Sequence, residues 1–509
     1  MAGERDVDDE PTGAPAAGGT REGSGRLALV EAPVTDPVDA PAGRVPDRRL
    51  VTGFRHGPLA HLRGILARPL ASYYLLLASS GLLVVIGLVM VFSATSVSSY
   101  ATDGNAFASV SRQAIFSLVG LVAFWVFQRL PAKTYRALGL PLLVISVVLL
   151  GLLDLLGLLA SPDSTAPAPS LGPIHADKVN NLWLYLGPLQ LQPSELAKLA
   201  IALWAAGVLA TKGPRAASLR ELSVPLFPVA GIVLLMVGYN DFGTMVCLLI
   251  LLVGLLWAAG VRMRHFGLLG MVALVGGAVL VIFAPYRVTR LNSFFDSSQC
   301  DPTDECYQAI HGMYAIADGG WFGVGLGEGR LKWGWLPNGH NDFIFAVIAE
   351  ELGVVGCFVV LALLAVLAYT GLRIARRVDD PFRRMVGAGI TVWLVGQAAI
   401  NIGGVIGVLP ITGLPLPFIS DGGSALVVTM AAVGLLASFA RAEPEAARAL
   451  HARPPDRWVR LLWAPLPPLP RDGTAASPRA PRPAERARGS GGGRPVPSGT
   501  RAGTRDRRR

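Results

Sequence analysis

From about residue 72 onward the chain is a succession of long apolar runs separated by short polar stretches. The runs fall at about 72–94, 112–130, 135–157, 193–211, 222–239, 243–260, 265–284, 342–371, 385–408 and 423–440. A helix needs roughly 20 such residues to cross a bilayer, so the pattern predicts an all-α polytopic membrane protein of about ten transmembrane helices. Outside the runs the pattern vanishes. Residues 1–68 are rich in Ala, Gly, Pro and Asp and cannot bury a core, which predicts a disordered tail. Residues 442–509 form a second tail, basic and rich in Pro and Gly. Within it, Glu443–His451 reads as a short amphipathic helix, with Trp458, Leu461, Leu462 and Trp463 placed to rest on the membrane interface. The membrane domain is then 69–441, and its largest polar interruption, 286–341, separates the seventh and eighth spans. No short apolar signal segment opens the chain, so the first span is expected to act as an uncleaved insertion signal.

The basic residues orient this array. Arg129, Lys133 and Arg136 follow the second span, and Lys212, Arg215 and Arg220 the fourth. Arg262 and Arg264 follow the sixth, and Arg373, Arg376, Arg377, Arg383 and Arg384 the eighth. These connections share one side with both tails, and that side is the cytoplasm by the positive-inside rule. Both termini are therefore expected inside, and the 286–341 loop outside the cytoplasm. Of the 509 residues, 52% are hydrophobic and 16% charged, which excludes a soluble domain with one core. The formal net charge of +10 resides in tails and loops, where it suits an anionic membrane face. Nucleic acid is not the expected partner, because the tail arginines alternate with Pro, Gly and Ser and not with stacking aromatics.

With this topology every unusual polar cluster of the membrane region falls at the outer end of its span. The clusters are QPSELAK at 192–198, NDFGT at 240–244, His340-Asn341-Asp342, and the stretch from Leu409 to Ser424. Polar groups converging in an apolar surround are the expected form of a site. Asp342 stands where a polar loop meets a span. A carboxylate there is costly to desolvate and reads as functional, with a helix cap as the plain alternative. Glu195 and Lys198, three apart on a helix, can pair as a structural device, or Lys198 can hold a phosphate with Glu195 orienting it. Asp241 can cap the sixth span. The prolines of 409–418 forbid a continuous helix, and irregular backbone at that depth is tolerated where it is buried or lines a cavity. It leads to Ser420, Asp421, Gly422, Gly423 and Ser424, where amides at a helix start can hold phosphate or simply form a capped turn. Gln397 and Asn401 share a face of the ninth span, and Glu350 and Glu351 lie about 12 Å below Asp342 by helical rise. These four are expected to form a structural polar seam, with at least one of the two glutamates partnered or protonated. Of the four cysteines, Cys247 and Cys357 lie in apolar runs as small hydrophobes. Cys300 and Cys306 flank an acidic loop segment, where a disulfide and two free thiols are both open. No ligand spacing suggests zinc.

The ordered set of QPSELAK, NDFGT, YRVTRLNSFFD, Tyr307-Gln308, GVGLGEG, LPNGHNDFIFAVIAEELG, NIGGVIGVLPITGLPLP and ISDGGS resembles the SEDS family of shape, elongation, division and sporulation proteins. The resemblance covers about residues 70–440, and within the family it is greatest to division members of actinobacterial type, less to elongation members. It implies a peptidoglycan glycosyltransferase of the bacterial cytoplasmic membrane, acting at the division septum. The implied substrates are lipid II and the polyprenyl-diphosphate-linked glycan, and the implied partners a class B penicillin-binding protein transpeptidase and other division proteins. Asp342 falls on the family's essential aspartate, implying a general base on the acceptor hydroxyl. Lys198, Arg290 and the Gly422–Ser424 amides are candidates to stabilise the departing diphosphate, with Glu195, Asp241, His340 and Ser420 completing the substrate-binding set. A divalent cation, Mg or Mn, can assist such a leaving group, but no cluster here specifies one. Two departures stand out. Asn240 replaces a usual proline, and Asp421 precedes Gly-Gly where relatives often carry an uncharged residue, so it must face away from a diphosphate or face a cation. The rival readings are a flippase for lipid-linked precursors, which would need access from both faces, and a noncatalytic division scaffold.

Overall fold

The computed structural model describes residues 64, 66–159, 170–171, 174–176, 182–187, 189–213, 220, 224–282, 285–295 and 306–470. The chain divides between Ala60 and His61, and every described residue belongs to the second unit, His61–Arg509. The tail expectations for 1–63 and 471–509 lie outside the described residues.

Each predicted run carries a helix. They are α1 (Ala71–Asp103), α2 (Ala108–Arg129), α3 (Ala132–Leu159), α4 (Pro193–Lys212), α5 (Leu226–Asn240), α6 (Phe242–Ala258), α7 (Met263–Ile282), α10 (Ile344–Arg377), α11 (Pro381–Val405) and α12 (Gly423–Arg441). Eight of these are long and apolar enough to cross a membrane, while α5 and α6 are shorter, with 15 and 17 residues. Between them lie α8 (Pro285–Phe295) and α9 (Tyr307–Gly319), and after them α13 (Pro444–Ala452) and α14 (Arg457–Leu462). Helices α4, α11 and α12 form the buried centre, and α7 stands at the edge with only His265 buried. The all-helical expectation omits one feature, an antiparallel meander of β1 (Ser170–Leu171), β2 (Ile174–Ala176), β3 (Leu184–Leu186) and β4 (Leu189–Leu191). Ala176 and Leu184 of the meander pack with Leu153 and Leu156 of α3.

The eighth predicted span is not one continuous helix. In α10, Gly353 has φ 66° and ψ −165°, a setting that disfavours any residue with a Cβ. The break separates the carbonyls of Glu350 and Glu351 from the amides one turn ahead, and unpaired backbone groups in an apolar interior are costly. The segment after α9 fills both gaps. Val324 and Gly325 N–H donate to the Glu350 and Glu351 carbonyls at 2.9 and 3.1 Å, while the Gly320 and Trp321 carbonyls accept from Val354 and Val355 N–H at 3.0 and 3.2 Å. Contact this close leaves no room for side chains: a Cβ on Gly323 would stand 2.1 Å from the Glu351 carbonyl oxygen, and one on Gly353 2.4 Å from the Gly323 nitrogen. The loop therefore descends along α10 by roughly 14 Å at 1.5 Å per residue. Gly353→Ala is expected to cost at least about 1–3 kcal/mol from backbone strain alone. Thermal unfolding in detergent should show the loss, whereas Gly276→Ala on α7, with open space around it, should be neutral; equal behaviour of the two variants would contradict the packing described.

The glutamates beside the break are both partnered. Glu350 Oε1 accepts from Arg330 and Leu331 N–H at 2.6 and 3.2 Å. Glu351 accepts from Lys332 Nζ at 2.8 Å and from the Ser93 hydroxyl at 2.6 Å. Lys332 also donates to Ser93 Oγ at 3.1 Å and to the Gly327 carbonyl at 2.8 Å. Glu350 and Glu351 thus staple the loop to α10, with partners distinct from those of Gln397 and Asn401.

At the opposite end of the bundle the last residue of α14 and the two that follow it are tied back to the helices. The Trp463 indole donates to the Tyr73 hydroxyl at 2.6 Å, the Trp125 indole to the Leu462 carbonyl at 2.6 Å, and Arg441 to the Ala464 carbonyl at 3.3 Å. Nearby, burial pushes the Glu443 carboxyl above its ordinary range, and Arg377, 3.7 Å away, pulls it partly back.

Candidate active site

The proline-broken stretch between α11 and α12 has carbonyls that no helix pairs, and α11 supplies the donors. Gln397 Nε2 donates to the Pro415 carbonyl at 2.8 Å, and Asn401 Nδ2 to the Leu414 carbonyl at 2.7 Å. The same Asn401 amide donates to the Asp342 carbonyl at 2.8 Å. Ser420 adds a second tie, its hydroxyl donating to the Asn341 carbonyl and accepting from Leu416 N–H, both at 2.7 Å. Asp421 N–H adds a third, to the His340 carbonyl at 3.0 Å. The His340-Asn341-Asp342 turn and the 409–421 stretch are thus stitched together through groups the sequence placed in separate clusters. Backbone strain is concentrated here: buried Phe418 has φ 69° and Asn338 φ 55°, settings that persist only where the surroundings over-determine them.

Asp342 is half-buried, one residue before the N-cap position of α10. That position is Phe343, whose side chain makes no capping hydrogen bond. A Cβ on Gly413 would stand 3.7 Å from Asp342 Oδ2, so the carboxylate faces the broken stretch. The small cleft there is lined by Asp342, Asn401, Gly404, Ile411, Thr412 and Gly413, among others.

Glu195 and Lys198 do pair. Lys198 is fully buried, and its ammonium donates to Glu195 Oε1 at 2.6 Å and to Gln397 Oε1 at 2.9 Å, 5.1 Å from the Trp393 ring centroid. Gln397 in turn holds the Pro415 carbonyl, so the ion pair reaches the cleft through the broken stretch. Asp241 takes the capping role: it accepts from Thr244 N–H at 2.8 Å and from the Thr244 hydroxyl at 2.6 Å at the start of α6. The same helix start abuts the cleft, since a Cβ on Gly243 would lie 2.7 Å from the Thr412 carbonyl oxygen. Asn240, the departure from proline, donates to Asp154 of α3.

A residue absent from the expected set is Arg287. It is 8% exposed, donates to the Tyr239 carbonyl at 2.8 Å and the Leu280 carbonyl at 3.3 Å, and lies 5.7 Å from the Phe242 ring centroid. Its charge and that of Lys198 both reach Asp241. The end of α5 leaves carbonyls in need of donors, but nothing in YRVTRLN itself says which of its two arginines answers. Arg290 is on α8, but its side chain lies outside the described residues.

The start of α12 is closed on two sides. The Ser424 hydroxyl accepts from Gln192 N–H at 3.1 Å, and a Cβ on Gly423 would stand 2.9 Å from the Phe116 ring. Gly422 is the buried N-cap. Burial pushes the Asp421 carboxyl above the ordinary range, opposed by His340 and Arg112. Among the described residues no group of three or more His, Cys, Asp or Glu is placed to hold a metal ion. Cys247 and Cys357 carry free thiols, Cys306 is disulfide-bonded, and Cys300 lies outside the described residues.

These elements define a multi-pass helical membrane protein with a carboxylate-bearing cleft built from interruptions in its helices. The profile of the FtsW/RodA/SpoVE family of cell cycle proteins matches residues 73–445, and the chain belongs to that family. It is 42% identical over 403 residues to proteins of Mycobacterium bovis and Mycobacterium tuberculosis named probable peptidoglycan glycosyltransferase FtsW, covering 79% of this chain and 74% of theirs. It is 35% identical to the stage V sporulation protein E of Bacillus subtilis, over 71% of this chain and 94% of that protein. Among solved structures it is similar, with TM-score 0.55 and 28% identity over 72% of this chain and 96% of the other, to a chain from a study of polymerization and crosslinking by a peptidoglycan synthase complex.

Proposed function

We propose that the chain is a peptidoglycan glycosyltransferase that polymerises lipid II into glycan strands at the outer face of the cytoplasmic membrane during cell division. Its relatives carry that enzyme name, and the base count of its connections favours the orientation with the Asp342 end outside. The observation that carries the mechanism is the placement of Asp342. Its carbonyl is fixed by Asn401 and its carboxylate faces the cleft at Gly413.

In this reading Asp342 takes the proton from the acceptor sugar hydroxyl as that oxygen bonds to the anomeric carbon of the donor. The bond from that carbon to the diphosphate oxygen breaks with its electron pair, and the anomeric centre inverts. The leaving group needs no proton from a second carboxylate, only stabilisation of its developing charge. Arg290 remains the proposed cation for this, while Lys198, Glu195 and Gln397 fix the geometry of the broken stretch. Asp241 and Arg287 support the neighbouring wall, and Ser420 and Ser424 bind the clusters to one another. The His340 carbonyl, accepting from Asp421 N–H, keeps the turn against the broken stretch.

A class B penicillin-binding protein is the proposed partner, cross-linking the strands and activating the polymerase at the septum. The test is to give the purified full chain, with and without its transpeptidase, lipid II on the accessible side and to resolve glycan chains by length. Chains are expected, and more of them with the partner. Movement of lipid II between leaflets with no chains formed would overturn the reading in favour of a carrier.

A further inference from the structure

The end of the bundle farthest from Asp342 holds a groove of about 1280 Å³, larger than the catalytic cleft and unrelated to it. Its walls come from the α2–α3 and α10–α11 connections, the end of α12 and α13, and Pro465–Pro470 roofs it. Six cations line it, Arg129, Lys133, Arg136, Arg383, Arg441 and Arg448, against two carboxylates, Asp379 and Asp380. Asp380 is already engaged: it pairs with Arg136 at 2.7 Å and accepts from Phe382 N–H at 3.2 Å as the N-cap of α11. Arg383 Nε stands 3.9 Å from it, beyond hydrogen-bond reach. Arg383 Nε and Arg129 Nη1 are both buried and make no hydrogen bond within the protein. Buried guanidinium donors left unmatched are expensive, so the groove is short of an acceptor that carries negative charge.

We propose that this groove binds the phosphate headgroup of an anionic phospholipid. Its depth supports a lipid. Trp458, Leu461 and Leu462 of α14 are 70%, 58% and 62% exposed, a surface suited to the boundary of headgroup and acyl chain. The Trp125 and Trp463 indoles are anchored beside them, at the level where aromatic belts mark the interface. In the roof Pro465, Pro467, Pro468 and Pro470 lack N–H groups, and only Leu466 and Leu469 carry one. The roof is held in place through its own carbonyls, with His451 on Pro467 at 2.9 Å and Arg441 on the adjoining Ala464 at 3.3 Å. Leu130, Leu466 and Leu469 supply an apolar wall for the glycerol region. Basic pockets among helix ends on the cytoplasmic side are where anionic headgroups bind, and this groove lies on the side assigned to the cytoplasm.

Native mass spectrometry of the full chain, loaded with phosphatidylglycerol or with phosphatidylcholine, tests the site. The wild type should retain phosphatidylglycerol at one molecule per chain and not phosphatidylcholine. Lys133→Gln with Arg448→Gln, both exposed positions, should weaken retention at least tenfold. Arg376→Gln, an exposed arginine outside the groove, should not. A thermal shift on adding phosphatidylglycerol should accompany binding in the wild type and disappear in the double variant, which reports on the site even if that variant is less stable. Equal retention by wild type and double variant would overturn the proposal, as would retention of both lipids. Displacement of the lipid by millimolar inorganic phosphate would make this a soluble-phosphate site, and preferential capture of an acidic peptide would make it a protein site; either result refutes the lipid assignment. Polymerisation of lipid II has no bearing on these outcomes.

Discussion

Replacing Lys332 with Met is expected to destabilise the protein by about 3–5 kcal/mol, the cost of leaving a buried carboxylate without its cation. Lys332 is 7% exposed and Glu351 1%, and their contact at 2.8 Å is one of three that the ammonium makes. The pair joins the loop to α10 immediately before the break at Gly353, so its loss strands a charge and also loosens the segment whose backbone completes the helix. Lys332→Met combined with Glu351→Met should recover most of the loss, since an apolar pair of similar volume carries no desolvation penalty. Chemical unfolding in detergent, paired with limited proteolysis of the 320–336 segment, distinguishes the cases. If the single and double variants unfold alike, the Lys332–Glu351 pair does not hold the loop.

Much of this architecture was legible in the sequence because the bilayer imposes a single requirement on every span. Ten apolar runs became ten helices, and the polar clusters at 192–198, 240–244, 340–342 and 409–424 converge because each marks the end of a span on the same side. Gln397 and Asn401 were also legible, since a spacing of four on a buried helix leaves two amides facing one neighbour. What was not legible depends on partners remote in the chain. The run 342–371 keeps its apolar character through Gly353, and a lone glycine does not announce a break that residues 320–325 fill. The adjacent glutamates demanded partners, but nothing local points to Lys332 or Ser93. Arg287 and Arg290 share one motif, and only the register of α8 against the end of α5 decides which reaches Tyr239. The meander at 170–191 escaped because strands of two or three residues are too short to show an alternation.

Replacing Asp342 with Asn should lower the rate of polymerisation by about 10²–10⁴-fold, the usual contribution of a positioned general base. That corresponds to roughly 3–5 kcal/mol of lost transition-state stabilisation. The substitution keeps the size of the side chain and leaves the main-chain contacts of the turn intact, including the bond from Asn401 to the Asp342 carbonyl. Folding and assembly with the transpeptidase are therefore expected to be unchanged, which separates loss of chemistry from loss of structure. The most direct measurement is the initial rate of glycan chain formation from lipid II by the purified Asp342→Asn complex, beside the wild-type complex at equal concentration. A rate at or below about one hundredth of wild type is predicted; a rate within a few fold of wild type would contradict the assignment of Asp342 as the base.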